Sequence, residues 1–160
     1  MAKIYLICGK ICSGKSFYAR ELQKEIAGIQ LSCDELMLSL FPDGLGEKHD
    51  DVSRAAREYL MKKAVDAVQA GCNAILDWGF WWADNRREIT NQLQEAGIPF
   101  EWHYVDVSDE RWEKNIAHRN ERILRGETQD YFIDEGLKQK CISLFDVPDA
   151  AEMDRWIEKK

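Results

Sequence analysis

No apolar run in this chain approaches the roughly 18 residues that cross a bilayer. The N-terminus passes straight into Lys3-Ile4-Tyr5 without the apolar core of a secretory leader. The expected setting is therefore cytoplasmic, away from membranes. The five cysteines, Cys8, Cys12, Cys33, Cys72 and Cys141, are odd in number and include no CxxC pair. That pattern argues against a disulfide framework or a zinc site and for reduced, partly buried thiols. An excess of positive charge is missing too. Twenty-two Lys and Arg against 29 Asp and Glu leave a formal charge of -7, the wrong sign for gripping a phosphate backbone without regard to sequence. There is no internal repeat, low-complexity tract or recognisable linker. What remains is 160 residues, 45% apolar and 32% charged, the composition of a single globular domain over 1–160.

The chain alternates between short apolar runs and helical periodicity. Lys3 to Cys8, Ile29 to Cys33, Asn73 to Trp78 and Phe100 to Val107 read as strands. Helical patterns follow over Ser16 to Ala27, Asp51 to Ala70, Asp84 to Ala96 and onward from Ser108, with Gly71 and Gly97 as stops. Strand followed by helix, repeated, requires crossover connections and predicts an α/β fold with a mainly parallel sheet. After Gly126 the pattern weakens. Asp134 to Phe145 and Ala150 to Lys159 read as helices, and no fifth strand is recognisable. Pro42, Gly44 and Gly46 mark a loop between Phe41 and Asp50 that can move over a site.

Gly9-Lys10-Ile11-Cys12-Ser13-Gly14-Lys15-Ser16 is a complete GxxxxGKS match, placed just after an expected strand and at the start of an expected helix. Such a loop winds its backbone N–H groups around a phosphate, and the following helix adds the positive end of its dipole. Gly9, Lys10, Cys12, Ser13, Gly14, Lys15, Ser16 and Phe17 are the expected nucleotide contacts. Lys15 reaches the β- and γ-phosphates and Ser16 offers a hydroxyl to Mg2+. No NKxD guanine motif occurs, which points to ATP.

In an open parallel sheet, ligands lie beyond the carboxyl ends of the strands. The second strand end brings Asp34, readable as the base for an attacking hydroxyl or as a helix cap. The third brings Asp77, readable as an acid that holds magnesium beside Ser16 or as a capping or salt-bridged aspartate at a strand end, and then an aromatic run. Trp78, Phe80 and Trp82 fit either a core or a wall for the acceptor. Arg86 and Arg87 open the next helix, where a cation opposes the dipole, so an anionic substrate or plain solvent are both open partners. The fourth strand end brings Asp106 and Ser108. Between Arg111 and Arg125 the local charge reverses to basic. His118, Arg122 and Arg125 share a helical face with Arg119 nearby; Arg119 and Arg122 are the candidates to neutralise a moving phosphoryl group, the alternative being a solvated face paired with Glu113 and Glu121.

The phosphate loop, Ser32-Cys33-Asp34-Glu35, Leu76-Asp77-Trp78-Gly79-Phe80-Trp81 with Arg86-Arg87, and Tyr104-Val105-Asp106-Val107 with Arg119-Asn120-Glu121-Arg122 together resemble a known group. It comprises the small P-loop kinases related to polynucleotide 5′-hydroxyl kinase, chloramphenicol phosphotransferase and zeta toxin. The resemblance implies a three-layer α/β/α fold with sheet order 2-3-1-4-5 and a short arginine-bearing helical lid near 111–130. It implies Asp34 as catalytic base, Lys15 and Ser16 on ATP and magnesium, and Arg119 and Arg122 in the lid. Polynucleotide kinases tend to carry an arginine shortly after the base, where this chain has Met37. The expected activity is thus ATP- and magnesium-dependent phosphorylation of a hydroxyl on a small molecule. A polynucleotide, nucleoside or nucleotide kinase, or an ATP-binding regulatory module with slow hydrolysis, are the alternatives.

Overall fold

The computed structural model describes residues 1–159. The central strand β1 (Ile4–Cys8) is buried along its whole length. It reads as an uninterrupted apolar run because it has a strand on either side and helices on both faces. The element order continues α1 (Lys15–Ile26), β2 (Gly28–Gln30), α2 (Cys33–Leu40), a 3-10 turn (Gly46–Lys48), α3 (His49–Gln69) and β3 (Asn73–Gly79). It ends with α4 (Ala83–Glu95), β4 (Phe100–Val107), α5 (Asp109–Leu124), α6 (Glu135–Leu144), a second 3-10 turn (Ala150–Glu152) and β5 (Arg155–Lys159). The strands lie in the order β2-β3-β1-β4-β5, and every neighbouring pair is parallel. Among the described residues no helix is long and apolar enough to cross a membrane.

Period-2 alternation divides the strand residues between two layers of core. Ile4, Leu6, Ala74, Leu76, Trp102 and Tyr104 pack under α3 and α4 through Ala64, Val68, Ile89 and Leu93. Tyr5, Ile7, Ile75 and Val105 face α1 through Ala19 and Leu22. Each fully buried Leu or Ile contributes about 1.5–3 kcal/mol relative to exposure. The two sandwiched faces thus leave the carboxyl ends of β1, β2, β3 and β4 as the place where polar residues gather.

Two expectations need correction. The helix expected over Ala150 to Lys159 is instead a 3-10 turn leading into β5, which supplies the fifth strand that the pattern did not reveal. Asp149 and Glu152 form a reciprocal capping box that fixes the start of the turn. Pairing with β4 and an edge-to-face contact of Trp156 on Tyr104, centroids 4.6 Å apart, then hold the segment extended. The second strand is also shorter than expected. It ends at Gln30, and Ser32 caps α2 by accepting from the Glu35 amide at 3.4 Å.

Candidate functional site

The chain leaves β1 through Gly9 and reaches α1 through Gly14, whose φ of +94° lies in the left-handed region that glycine tolerates without strain. Gly9 is required for close approach, since a Cβ there would stand 2.9 Å from the Val105 carbonyl oxygen and 2.7 Å from Ser13 Oγ. Lys15 folds back so that its Nζ donates to the Lys10 carbonyl at 2.7 Å. Two loop carbonyls are taken up by α5. Trp112 Nε1 donates to Ile11 at 2.6 Å and Asn115 Nδ2 to Cys12 at 2.9 Å. Lys10 lies 4.1 Å over the Trp112 ring and 3.5 Å from Asp109. The loop is therefore braced from outside by a helix that sequence spacing did not connect to it.

Asp77 sits at the end of β3. Its Oδ2 accepts from Gln30 Nε2 at 2.8 Å and from Ser16 Oγ at 3.4 Å. Its Oδ1 is buried without a hydrogen-bond partner among the described residues, as is Ser13 Oγ in the loop. An unpartnered buried carboxylate oxygen costs free energy unless something completes it. Together with the Ser16 hydroxyl, these atoms fit a loop that receives a nucleotide phosphate and a hydrated divalent cation. Lys15, Ser16, Ser13 and Asp77 are the residues that would hold them.

Asp34 lies in the first turn of α2, facing the same space. Its side chain is exposed at the mouth of the site, and partial desolvation by the surrounding protein pushes its carboxyl up from the usual range. Lys15 opposes the rise, and Asp77 adds to it. Desolvation likewise pushes the Lys15 ammonium down, against the pull of Asp34 and Asp77. Arg119 and Arg57 both act on the Asp34 charge, so two more cations converge here. Arg57, half-buried on α3, escaped the sequence reading because it lies in no motif; its position follows from Ser53, one turn earlier, packing on Cys33.

Several other candidates sit elsewhere. Arg86 does not face an anionic substrate: it is 1% exposed, its Nε meets Glu152 at 2.9 Å and its Nη1 meets the Phe80 carbonyl at 2.9 Å. It ties α4 to the turn before β5. Arg87 is exposed and paired with Asp84. Phe80 is buried in the core under α4, and Trp78 donates to the Leu31 carbonyl at 2.8 Å while its ring packs on Phe80. Neither is free to form an acceptor wall, whereas Trp82 is half-exposed at the start of α4. Arg122 is exposed near the end of α5 and pairs with Glu127 at 3.4 Å. Phe17 is 62% exposed beside Lys159. Asp106 accepts from Tyr104 and Trp156, and Ser108 caps α5, so both are engaged in the scaffold.

A family described as an AAA domain matches residues 4–131. No curated protein matches the sequence. Solved structures share the fold at low identity. The Mycobacterium tuberculosis APS kinase CysC, in complex with AMPPNP and APS, is 20% identical with a TM-score of 0.68, covering 99% of this chain and 89% of that one. A sugar kinase from Janibacter sp. HTCC2649 is 14% identical with a TM-score of 0.63, covering 99% and 85%. Chaetomium thermophilum Kti12, in complex with ADP-AlF3, is 16% identical with a TM-score of 0.72, covering 98% and 88%. These likenesses establish a three-layer P-loop kinase-like fold.

Proposed function

Because the chain belongs to the AAA-domain family matched over residues 4–131, we propose that it is an ATP- and magnesium-dependent phosphotransferase acting on a hydroxyl of a small molecule. The observation that carries this reading is the meeting of Lys15, Asp34, Asp77 and Arg119 around one phosphate loop. Binding or slow hydrolysis alone gives no task to a carboxylate beside the γ-phosphate, whereas hydroxyl phosphorylation does.

In this reading Asp34 accepts the proton of the acceptor hydroxyl as its oxygen bonds to the γ-phosphorus and the bond to the β–γ bridging oxygen breaks, leaving ADP. Lys15 leaves the Lys10 carbonyl and follows the charge onto the β- and γ-phosphate oxygens. Ser16 and Asp77 would hold the divalent cation, which when bound would supply positive charge against the phosphate oxygens. Arg119 stabilises the transferred group and narrows the path for water. The AMPPNP complex of APS kinase and the ADP-AlF3 complex of Kti12, proteins of this fold, support nucleotide binding here.

The test is transfer from γ-labelled ATP to a panel of small alcohols, with a 5′-hydroxyl oligonucleotide as a separate arm. Lys15→Ala should abolish transfer in every arm, a loss of about 100-fold or more for removing a transition-state cation. Transfer to the oligonucleotide alone would replace the small-molecule acceptor with a nucleic-acid end. Transfer retained in Lys15→Ala would end the kinase reading.

A further inference from the structure

A cavity of about 300 Å³ opens one helical turn from Asp34, between the end of α2, the loop before α3 and the segment returning from the lid. Met37 and Leu38 line it from α2, and residues three and four apart on a helix share a face, so the cavity continues the face that carries Asp34. Phe41 and the Pro42 turn close one side. His49 and Tyr131 close another, their rings edge-to-face with centroids 5.8 Å apart. The Tyr131 phenol is pushed up by burial and then by Asp34, which places that ring within electrostatic reach of the carboxylate.

The charge pattern of the lining is one-sided. Asp43 and Asp130 contribute carboxylates, His49 an imidazole, and no lysine or arginine takes part. The cations of the site, Lys15, Arg119 and Arg57, gather instead around Asp34 at the inner end. A phosphorylated, sulfated or carboxylated acceptor would place its fixed negative charge against Asp43 and Asp130. An aromatic or aliphatic group would find Met37, Phe41 and Tyr131, and an ammonium would find the two acids. The volume suits one ring with short substituents, since ligand pockets start near 300 Å³.

We propose that this cavity is the acceptor pocket and that it selects a neutral or cationic alcohol with an apolar ring-sized body over an anionic one, a refinement that rests on the kinase reading above. The hydroxyl points inward to Asp34, the apolar body lies between Phe41 and Tyr131, and Asp43 and Asp130 reject negative charge at the mouth by repulsion that also steers approach.

Three matched probes test it on the whole chain: benzyl alcohol, para-(hydroxymethyl)benzylamine and para-(hydroxymethyl)benzoate. Binding is read from ring signals of His49 and Tyr131 in NMR titrations, which need no turnover, and transfer from labelled ATP is read separately. The amine should bind about tenfold tighter than the benzoate, and Asp43→Asn with Asp130→Asn should bring the pair within about twofold. Binding at these rings without transfer would uphold the pocket and overturn the kinase reading. Transfer to a probe that leaves both rings unperturbed would do the reverse. Equal or tighter binding of the benzoate, or no perturbation by any probe, overturns the pocket.

Discussion

Asp34 carries a carboxyl held above its ordinary range by desolvation, and that shift has two measurable signatures. As the proposed base it must be ionised, so kcat/KM should fall as the pH drops through a value higher than that of an ordinary aspartate, and this acid limb should vanish in Asp34→Asn along with about 100-fold or more of the rate. The stability sign is opposite. A carboxyl with a raised folded pKa costs nothing below its unfolded pKa, and its destabilisation grows from there to its full size above the raised value. Asp34→Asn should therefore raise Tm at neutral pH, with the gain disappearing in acid; a lower Tm at neutral pH would refute the desolvation. Arg86 and Arg87, adjacent in sequence, differ for the same reason of surroundings. Arg86→Ala strands Glu152 and a buried carbonyl and should cost about 3 kcal/mol in urea unfolding, whereas Arg87→Ala, breaking an exposed pair, should stay within about 0.5 kcal/mol. Their shared position at a helix start, all that the sequence offers, cannot separate them.

At the scale of elements, the phosphate loop was legible because its chemistry is local: eight consecutive residues carry it. Its support was not. Trp112 and Asn115 lie 101 and 103 positions from the carbonyls they hold, and no spacing rule reaches that far. Asn115→Ala should leave the Cys12 carbonyl unpaired, lower stability by about 1 kcal/mol and weaken AMPPNP binding several-fold. A melting curve and a calorimetric titration check the two effects, and wild-type values in both would show the brace to be idle. β5 escaped for a related reason. Five residues of RWIEK have no periodicity long enough to distinguish strand from helix, and the decision comes from the open edge of β4 and the Tyr104 ring beside it. The shortened β2 reflects Ser32, whose capping of α2 outweighs the β-preference of the residues before it.

Across the whole molecule, the alternation of strand and helix made the layers and the parallel sheet legible, because the central apolar runs had to be buried on both faces. The net charge of -7 was legible as a number but not as a map. In the fold the cations Lys15, Arg57 and Arg119 concentrate at the carboxyl ends of the strands, and the acids Asp43 and Asp130 stand at the outer cavity. The Trp112 and Asn115 contacts make α5 both the backrest of the loop and the bearer of Arg119, four residues beyond Asn115. The helix thus acts as a protractor, in which angular phase, rather than length or charge, determines where the guanidinium aims. One alanine inserted between Ile116 and His118 would swing Arg119 by about 100° while leaving Trp112 and Asn115 seated. AMPPNP should still bind such a protein and phosphoryl transfer should collapse; transfer surviving the rotation would mean that Arg119 has no part in it.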